Sequence, residues 1–162
     1  LMSWSTSKVI TDYYDKADFS SFKTYDFYED IGKGLNELDV RRVTSIMNTE
    51  LNKLGIQESE NPDFFINIIS NTTEAPNNNT IGIGVGSGGR NGGFGISGGI
   101  PIGGKKLNEE FIVEFVAATN NTLFWEAILN SKINEKRKPE EKELHFQEII
   151  KIILEKYPPK QK

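Results

Sequence analysis

The chain has no cysteine and a single histidine, His145. Neither a disulfide nor a thiolate metal site can form, and a cluster of histidines around one ion is excluded. No apolar run reaches the ~20 residues a membrane-spanning helix needs. Basic stretches interleaved with aromatics are missing and the formal net charge is −4, which argues against a nucleic-acid partner. There is no G-x-S-x-G nucleophile elbow around the serines of "SWSTS" and no G-x-x-x-x-G-K-[ST] phosphate loop. No cofactor and no metal are expected.

What is present is enough for one domain, 1–162, with residues 158–162 as a tail. Hydrophobic residues make up 36% of the chain, and they are grouped rather than scattered, which sets it apart from a disordered polymer. "KVITDYYD" (8–15) and "KTYDFYE" (23–29) read as strands, rich in β-branched and aromatic residues. The turn between them holds Asp18, Ser20 and Ser21, which bond nearby backbone N–H groups. The recurrence of Asp12, Asp15 and Asp18 lacks the closing bidentate Glu of a calcium loop. "DFFINIIS" (63–70) is apolar on nearly both faces and is expected to be a central strand, followed by a polar loop, "NTTEAPNNNT".

Two helices carry end signals. Asn36 caps the first, whose stripe is Val43, Ile46, Met47, Glu50, Leu51 and Leu54, and Gly55 ends it. Pro139 opens the second, with a stripe of Phe146, Ile149, Ile150, Ile153, Leu154 and Tyr157 before Pro158 and Pro159. His145 is expected to be a solvated helix histidine. One-sided helices must lie on something, so the expected fold is α+β: a two-layer sandwich, a mainly antiparallel sheet of about six or seven strands with both helices on one face.

Twelve of the fifteen glycines lie between Gly82 and Gly104. Two windows there match G-x-G-x-x-G, Gly84–Gly89 and Gly93–Gly98, but no helix start follows to receive a pyrophosphate. Ile81, Ile83 and Val85 alternate with Gly82, Gly84 and Gly86, and Phe94 and Ile96 with Gly95 and Ser97. The pattern predicts a hairpin with one apolar face and one of bare backbone, either a tolerated edge or a ledge for a partner.

The run "FIVEFVAATNNTLFWEAILNSK" predicts two strands around a tight turn. A three-residue loop, Thr119 to Asn121, with Asn121 left-handed, sets Phe115 opposite Trp125, Val113 opposite Ala127 and Ala117 opposite Leu123. One face is then wholly apolar, whereas a slip of one residue would mix the faces. The same register sets Glu114 opposite Glu126, two like charges that acid–base chemistry or a hard cation could use and that solvent could equally relieve.

Four segments in order, "DYYDKADFSSFKTYDF", "LNKLGI" followed by "NPDFFINI", "FIVEFVAATNNTLFWEA" and "EKYPP", resemble the lipoprotein family of Gram-negative bacteria known as domain of unknown function 4136. The resemblance implies a signal peptide and a lipid-modified cysteine upstream of the first strand. It also implies an outer-membrane-anchored or periplasmic location, and membrane attachment through that anchor alone. A chain opening at Leu1 fits removal of such a leader. The family has no established activity, so none carries over. Its members often pair an acid with arginine where this chain has Glu114 and Glu126, and usually have glycine where it has Asn121.

The reading that follows is a non-enzymatic envelope module binding a protein or cell-wall component. Its candidate contacts are Gly82, Gly84, Gly86 and Gly95 with the loop 71–79. The alternative is a hydrolase or cation-dependent enzyme built on Glu114 and Glu126.

Overall fold

The computed structural model describes residues 8–75 and 104–160. They form β1 (Lys8–Tyr13), β2 (Thr24–Phe27), α1 (Glu37–Lys53), β3 (Gln57–Glu58), β4 (Phe64–Glu74), β5 (Lys106–Ala117), β6 (Thr122–Asn134) and α2 (Pro139–Leu154), with a 3-10 turn at Phe19–Ser21. One six-stranded sheet runs β1-β6-β5-β4-β2-β3. The α+β architecture is as expected, and β4 is central. The sheet is mixed rather than mainly antiparallel: β1, β6, β5 and β4 pair antiparallel, while β2 runs parallel to both β4 and β3. The cause is α1, which carries the chain back across the sheet so that it re-enters in the same direction.

The helix ends follow local chemistry. Asn36 Oδ1 accepts from the Asp39 amide at 2.8 Å, and Glu37 and Asp39 place negative charge in the first turn. At the other end Gly55 adopts φ +84°. Ile56 N donates to Leu51 O and Gly55 N to Asn52 O, both at 3.0 Å, which satisfies two carbonyls that the helix leaves open. Pro139 is the first residue of α2, and Lys138 N donates to Glu141 Oε1 at 2.7 Å.

Both helices pack on the same sheet face. Val43, Met47, Leu51, Phe146, Ile150 and Ile153 share one buried cluster with Tyr25, Phe64, Ile66, Ile68, Phe111, Val113, Phe115 and Trp125. Leu54 departs from the predicted stripe: as the residue after the last turn it is 46% exposed. Tyr157 closes the cluster edge-on to Phe115 and Trp125, at centroid distances of 5.0 and 5.1 Å. The Tyr25 hydroxyl donates to Asn48 Oδ1, and burial pushes the ionisation of both buried tyrosines well up.

The β5–β6 turn is as predicted at Asn121, the only non-glycine at positive φ (57°) among the described residues. Phe115 faces Trp125 and Val113 faces Ala127. Ala117, however, faces Thr122, and Val116 faces Leu123, because a bulge at Phe124 interrupts the ladder. The extra residue lets Phe124 and Trp125 both point inward. Phe124 stacks on Phe22 at 3.9 Å, and Leu123 is turned out, 45% exposed. The aromatic slot under Phe22 is worth more than a smooth ladder.

The glycine-rich segment, with Gly82, Gly84, Gly86 and Gly95, lies outside the described residues. Of the expected loop 71–79, Asn71–Glu74 belong instead to β4, whose backbone pairs with Leu107–Glu110 of β5, and 76–79 lie outside the described residues. Past the end of β2, the loop before α1 takes over as β4's neighbour: Gly32 N donates to Ile68 O and Ser70 N to Lys33 O, both at 2.9 Å. This contact needs glycine at position 34, where φ is +91° and a Cβ would fall inside the Ser70 carbonyl oxygen.

Gly34→Ala is therefore expected to cost about 2 kcal/mol or more, since strain and overlap add. Gly55→Ala, strained at φ +84° but with open space around it, should cost about 1 kcal/mol. Denaturant midpoints at equal m-value check the order; equal losses would refute the close approach.

Candidate functional site

Alternation along each strand sends Phe64, Ile66 and Ile68 to the helices and Phe65, Asn67 and Ile69 to the opposite face. On that outer face cross-strand partners line up in rows. Asp12, Glu126, Glu114 and Asn67 are successive partners on β1, β6, β5 and β4. Two residues along, a spacing of about 7 Å, Ile10, Ile128, Ile112 and Ile69 form a second row. On the other side of the acids lie Leu123, Val116 and Phe65. Beyond the isoleucines come Lys8, Asn130, Glu110 and Asn71, where Asn71 Nδ2 donates to Glu110 Oε1 at 3.1 Å. Tyr28 stacks on Phe65 at 5.2 Å and covers that end of the face.

Glu114 and Glu126 thus face each other as the register requires. Glu114 Oε1 accepts from Asn67 Nδ2 at 3.2 Å. Glu126 has neither a hydrogen bond nor an ion pair among the described residues. Its partial burial, then the charges of Glu114 and Asp12, hold its pKa above the ordinary carboxylate value. Burial, then Glu114 and Asp30, likewise raise Tyr28.

Among the described residues the pair stands on an open sheet face rather than in a cleft. A groove of about 670 Å³ runs between α1 and α2, lined by Thr49, Lys53, Glu143 and Gln147 among others, and a hollow of about 380 Å³ lies beside Phe27 and Arg41. Neither includes Glu114 or Glu126. Among the described residues no three His, Asp or Glu side chains are placed to hold a metal ion. Acid–base catalysis needs a reacting group held within reach of the carboxylates and water kept away, and no described residue supplies either at this pair.

A second polar cluster was not foreseen. His145 is not solvated: its Nε2 lies 2.8 Å from Glu109 Oε1, and the Glu109 side chain is 2% exposed. Ser70 Oγ donates to Glu109 Oε2 at 3.1 Å. A hydrolytic triad needs the imidazole between hydroxyl and carboxylate, whereas here the carboxylate is between them and Ser70 is buried. The cluster is a clasp from α2 to β5 and β4. Asp39, also buried, pairs with Arg42 at 2.7 Å and Lys142 at 3.2 Å, linking α1 to α2. The signal for both was periodicity: Glu109 continues the apolar face of Phe111 and Val113, and Asp39 and His145 each lie four residues before a stripe member.

Among the described residues these features define an α+β domain whose sheet is roofed by helices on one face and bears chemically distinct rows, without a cover, on the other. The chain belongs to the family described as a domain of unknown function, DUF4136, whose model matches residues 9–159. No curated protein matches it. Among solved structures it is similar to a PDZ domain protein from Parabacteroides distasonis ATCC 8503 (TM-score 0.62, 14% identity), covering 96% of this chain and 37% of that one. It thus spans little more than a third of that protein's length. The PelC dodecamer from Paraburkholderia phytofirmans is also similar (TM-score 0.55, 9% identity), with 91% of this chain and 95% of that chain covered. A variant PelC dodecamer from the same organism gives a TM-score of 0.54 at 10% identity, covering 91% and 94%. At these identities the likeness is one of fold.

Two predictions follow from the charges. His145→Ala leaves a buried carboxylate with one weak donor and should cost about 2–3 kcal/mol, with His145→Gln recovering part of it; a loss under about 0.5 kcal/mol in denaturant titration would show that the clasp is idle. Glu126 binds protons more tightly folded than unfolded, so its ionisation opposes folding. That penalty is complete above its raised pKa and fades as pH falls toward the ordinary carboxylate value. Glu126→Gln should accordingly gain about 0.5 kcal/mol near neutral pH, and the gain should shrink in acid; a loss at neutral pH would contradict the repulsion.

Proposed function

We propose that the domain is a non-enzymatic binding module of the Gram-negative cell envelope, held at the membrane by a lipid anchor upstream of β1, and that it engages a protein partner through the outer face of its sheet. The open face is the observation that carries this reading. On the inner face Tyr25, Phe64, Phe111, Phe115 and Trp125 are fully buried, while Ile10 is 57% exposed and Leu123 45%, with Phe65, Ile69, Ile112, Val116 and Ile128 half-buried beside them. Each such side chain leaves on the order of 1 kcal/mol of burial unrealised, and grouped in rows they make a contact surface rather than scattered surface residues. The envelope location rests on the family's lipoprotein character. PelC proteins of similar fold are dodecamers, so this architecture does present association surfaces elsewhere.

A photo-reactive residue at Ile128 is expected to crosslink a defined partner in the native host, whereas the same residue at Leu144, exposed on α2, should not. Fractionation of those cells should recover the protein with the envelope. Crosslinks from Leu144 alone would move the contact to the helices, and cytosolic recovery would remove the envelope assignment.

A further inference from the structure

The rows of the outer face carry more information than its exposure, and what they specify rests on that face being the contact surface. Asp12, Glu126 and Glu114 sit side by side on three adjacent strands, so three carboxylates span about 10 Å across the sheet. No cation from the described residues reaches them: Lys8, on the same face, is two rows away, beyond the isoleucines. Folding alone gains nothing by grouping these charges, because like charges opposed across strands destabilise. The acids are flanked on both sides by aliphatic rows. The order across the face is apolar, acidic, apolar, at a repeat of about 7 Å, which is also the distance between residues i and i+2 of an extended chain.

We propose that the partner is a protein segment in extended form, running along the strands and presenting an aliphatic residue, an arginine or lysine, and a second aliphatic residue at i, i+2 and i+4. The aliphatic side chains lie over Val116 and Leu123 on one side and over Ile112 and Ile128 on the other. The cation enters between Glu114 and Glu126, with Asp12 beyond. A guanidinium suits the position: its planar fork can donate to both carboxylates at once, and its stem can lie on the isoleucines. It also removes the repulsion that the free domain carries. A cationic glycan fits less well, since sugar faces stack on flat rings, whereas the carboxylates of β5 and β6 are flanked by Val116, Leu123, Ile112 and Ile128, and Phe65 is already covered by Tyr28.

A synthetic peptide with the repeat Val-Thr-Arg-Thr-Val tests this against the isotope-labelled domain by amide shift mapping. Shifts are expected at Asp12, Glu114, Glu126 and their strand neighbours, and binding should weaken with salt. The double variant Glu114→Gln/Glu126→Gln, which relieves repulsion and so stays folded, should lose about tenfold or more in affinity. A control peptide with glutamine for arginine should not bind. Equal binding of the control, or undiminished binding by the double variant, would overturn the assignment. So would a glucosamine oligomer that shifts the same amides more tightly, or self-association that the double variant abolishes, which would seat a second copy there. Crosslinking from Ile128 separates the two levels. A captured partner that has no basic extended segment leaves the surface standing and sinks this inference; no crosslink from that face removes both.

Discussion

The left-handed backbone at Asn121 and the bulge at Phe124 together set the phase of β5 against β6, and most of the molecule is decided by that phase. These are the two longest strands, at the centre of the antiparallel part of the sheet. With this phase every second residue from Phe111 to Ala117 goes under the helices. With β6 slipped by one against β5, Glu126 would be pressed under the apolar roof and Trp125 left in water, a cost of several kcal/mol against a native margin of about 5–15. The bulge adds a correction within one strand. It brings Phe124 in beside Trp125, where Phe22, Phe64 and Phe115 surround it, and Leu123 is displaced outward as a consequence.

The helices are seated by apolar stripes but located by charge. Asp39 receives one cation from its own helix and one from α2, and Glu109 receives His145 from α2 and Ser70 from β4. Apolar contact tolerates sliding, whereas a buried carboxylate with directional partners does not, because each missed bond leaves an unsolvated charge. The two clasps tie β4, β5, α1 and α2 into one arrangement. They also account for titratable groups that could be mistaken for catalytic machinery: the serine, glutamate and histidine come together in an order that cannot move a proton from hydroxyl to imidazole.

The outer face inverts this economy. There the acids are grouped without cations, and the isoleucines are grouped without a cover among the described residues. A surface shaped only by folding would separate the acids and shrink the apolar rows. On the proposed reading the pattern is one half of a contact, with the opposing charges and the apolar cover supplied by another molecule.

Local chemistry was legible in the chain itself. Asn36, Gly55 and Pro139 marked helix ends because caps, left-handed glycine and first-turn proline act over a few residues. The stripe from Phe146 to Tyr157 and the apolar face from Phe111 to Leu129 were readable as periodicity, and so was the opposition of Glu114 and Glu126, because burial admits one register. What could not be read was everything that depends on which elements become neighbours. The parallel return of β2 onto β4, the extension of β4 through Asn71–Glu74 and the inward turn of Phe124 were settled only by pairing across the fold. The bond from His145 to Glu109 joins residues 36 positions apart, and Asp39 to Lys142 spans 103. Sequence fixes the period and the ends of each element because those energies are local; the partners of a buried charge and the rows of an open sheet exist only once distant segments have been packed side by side.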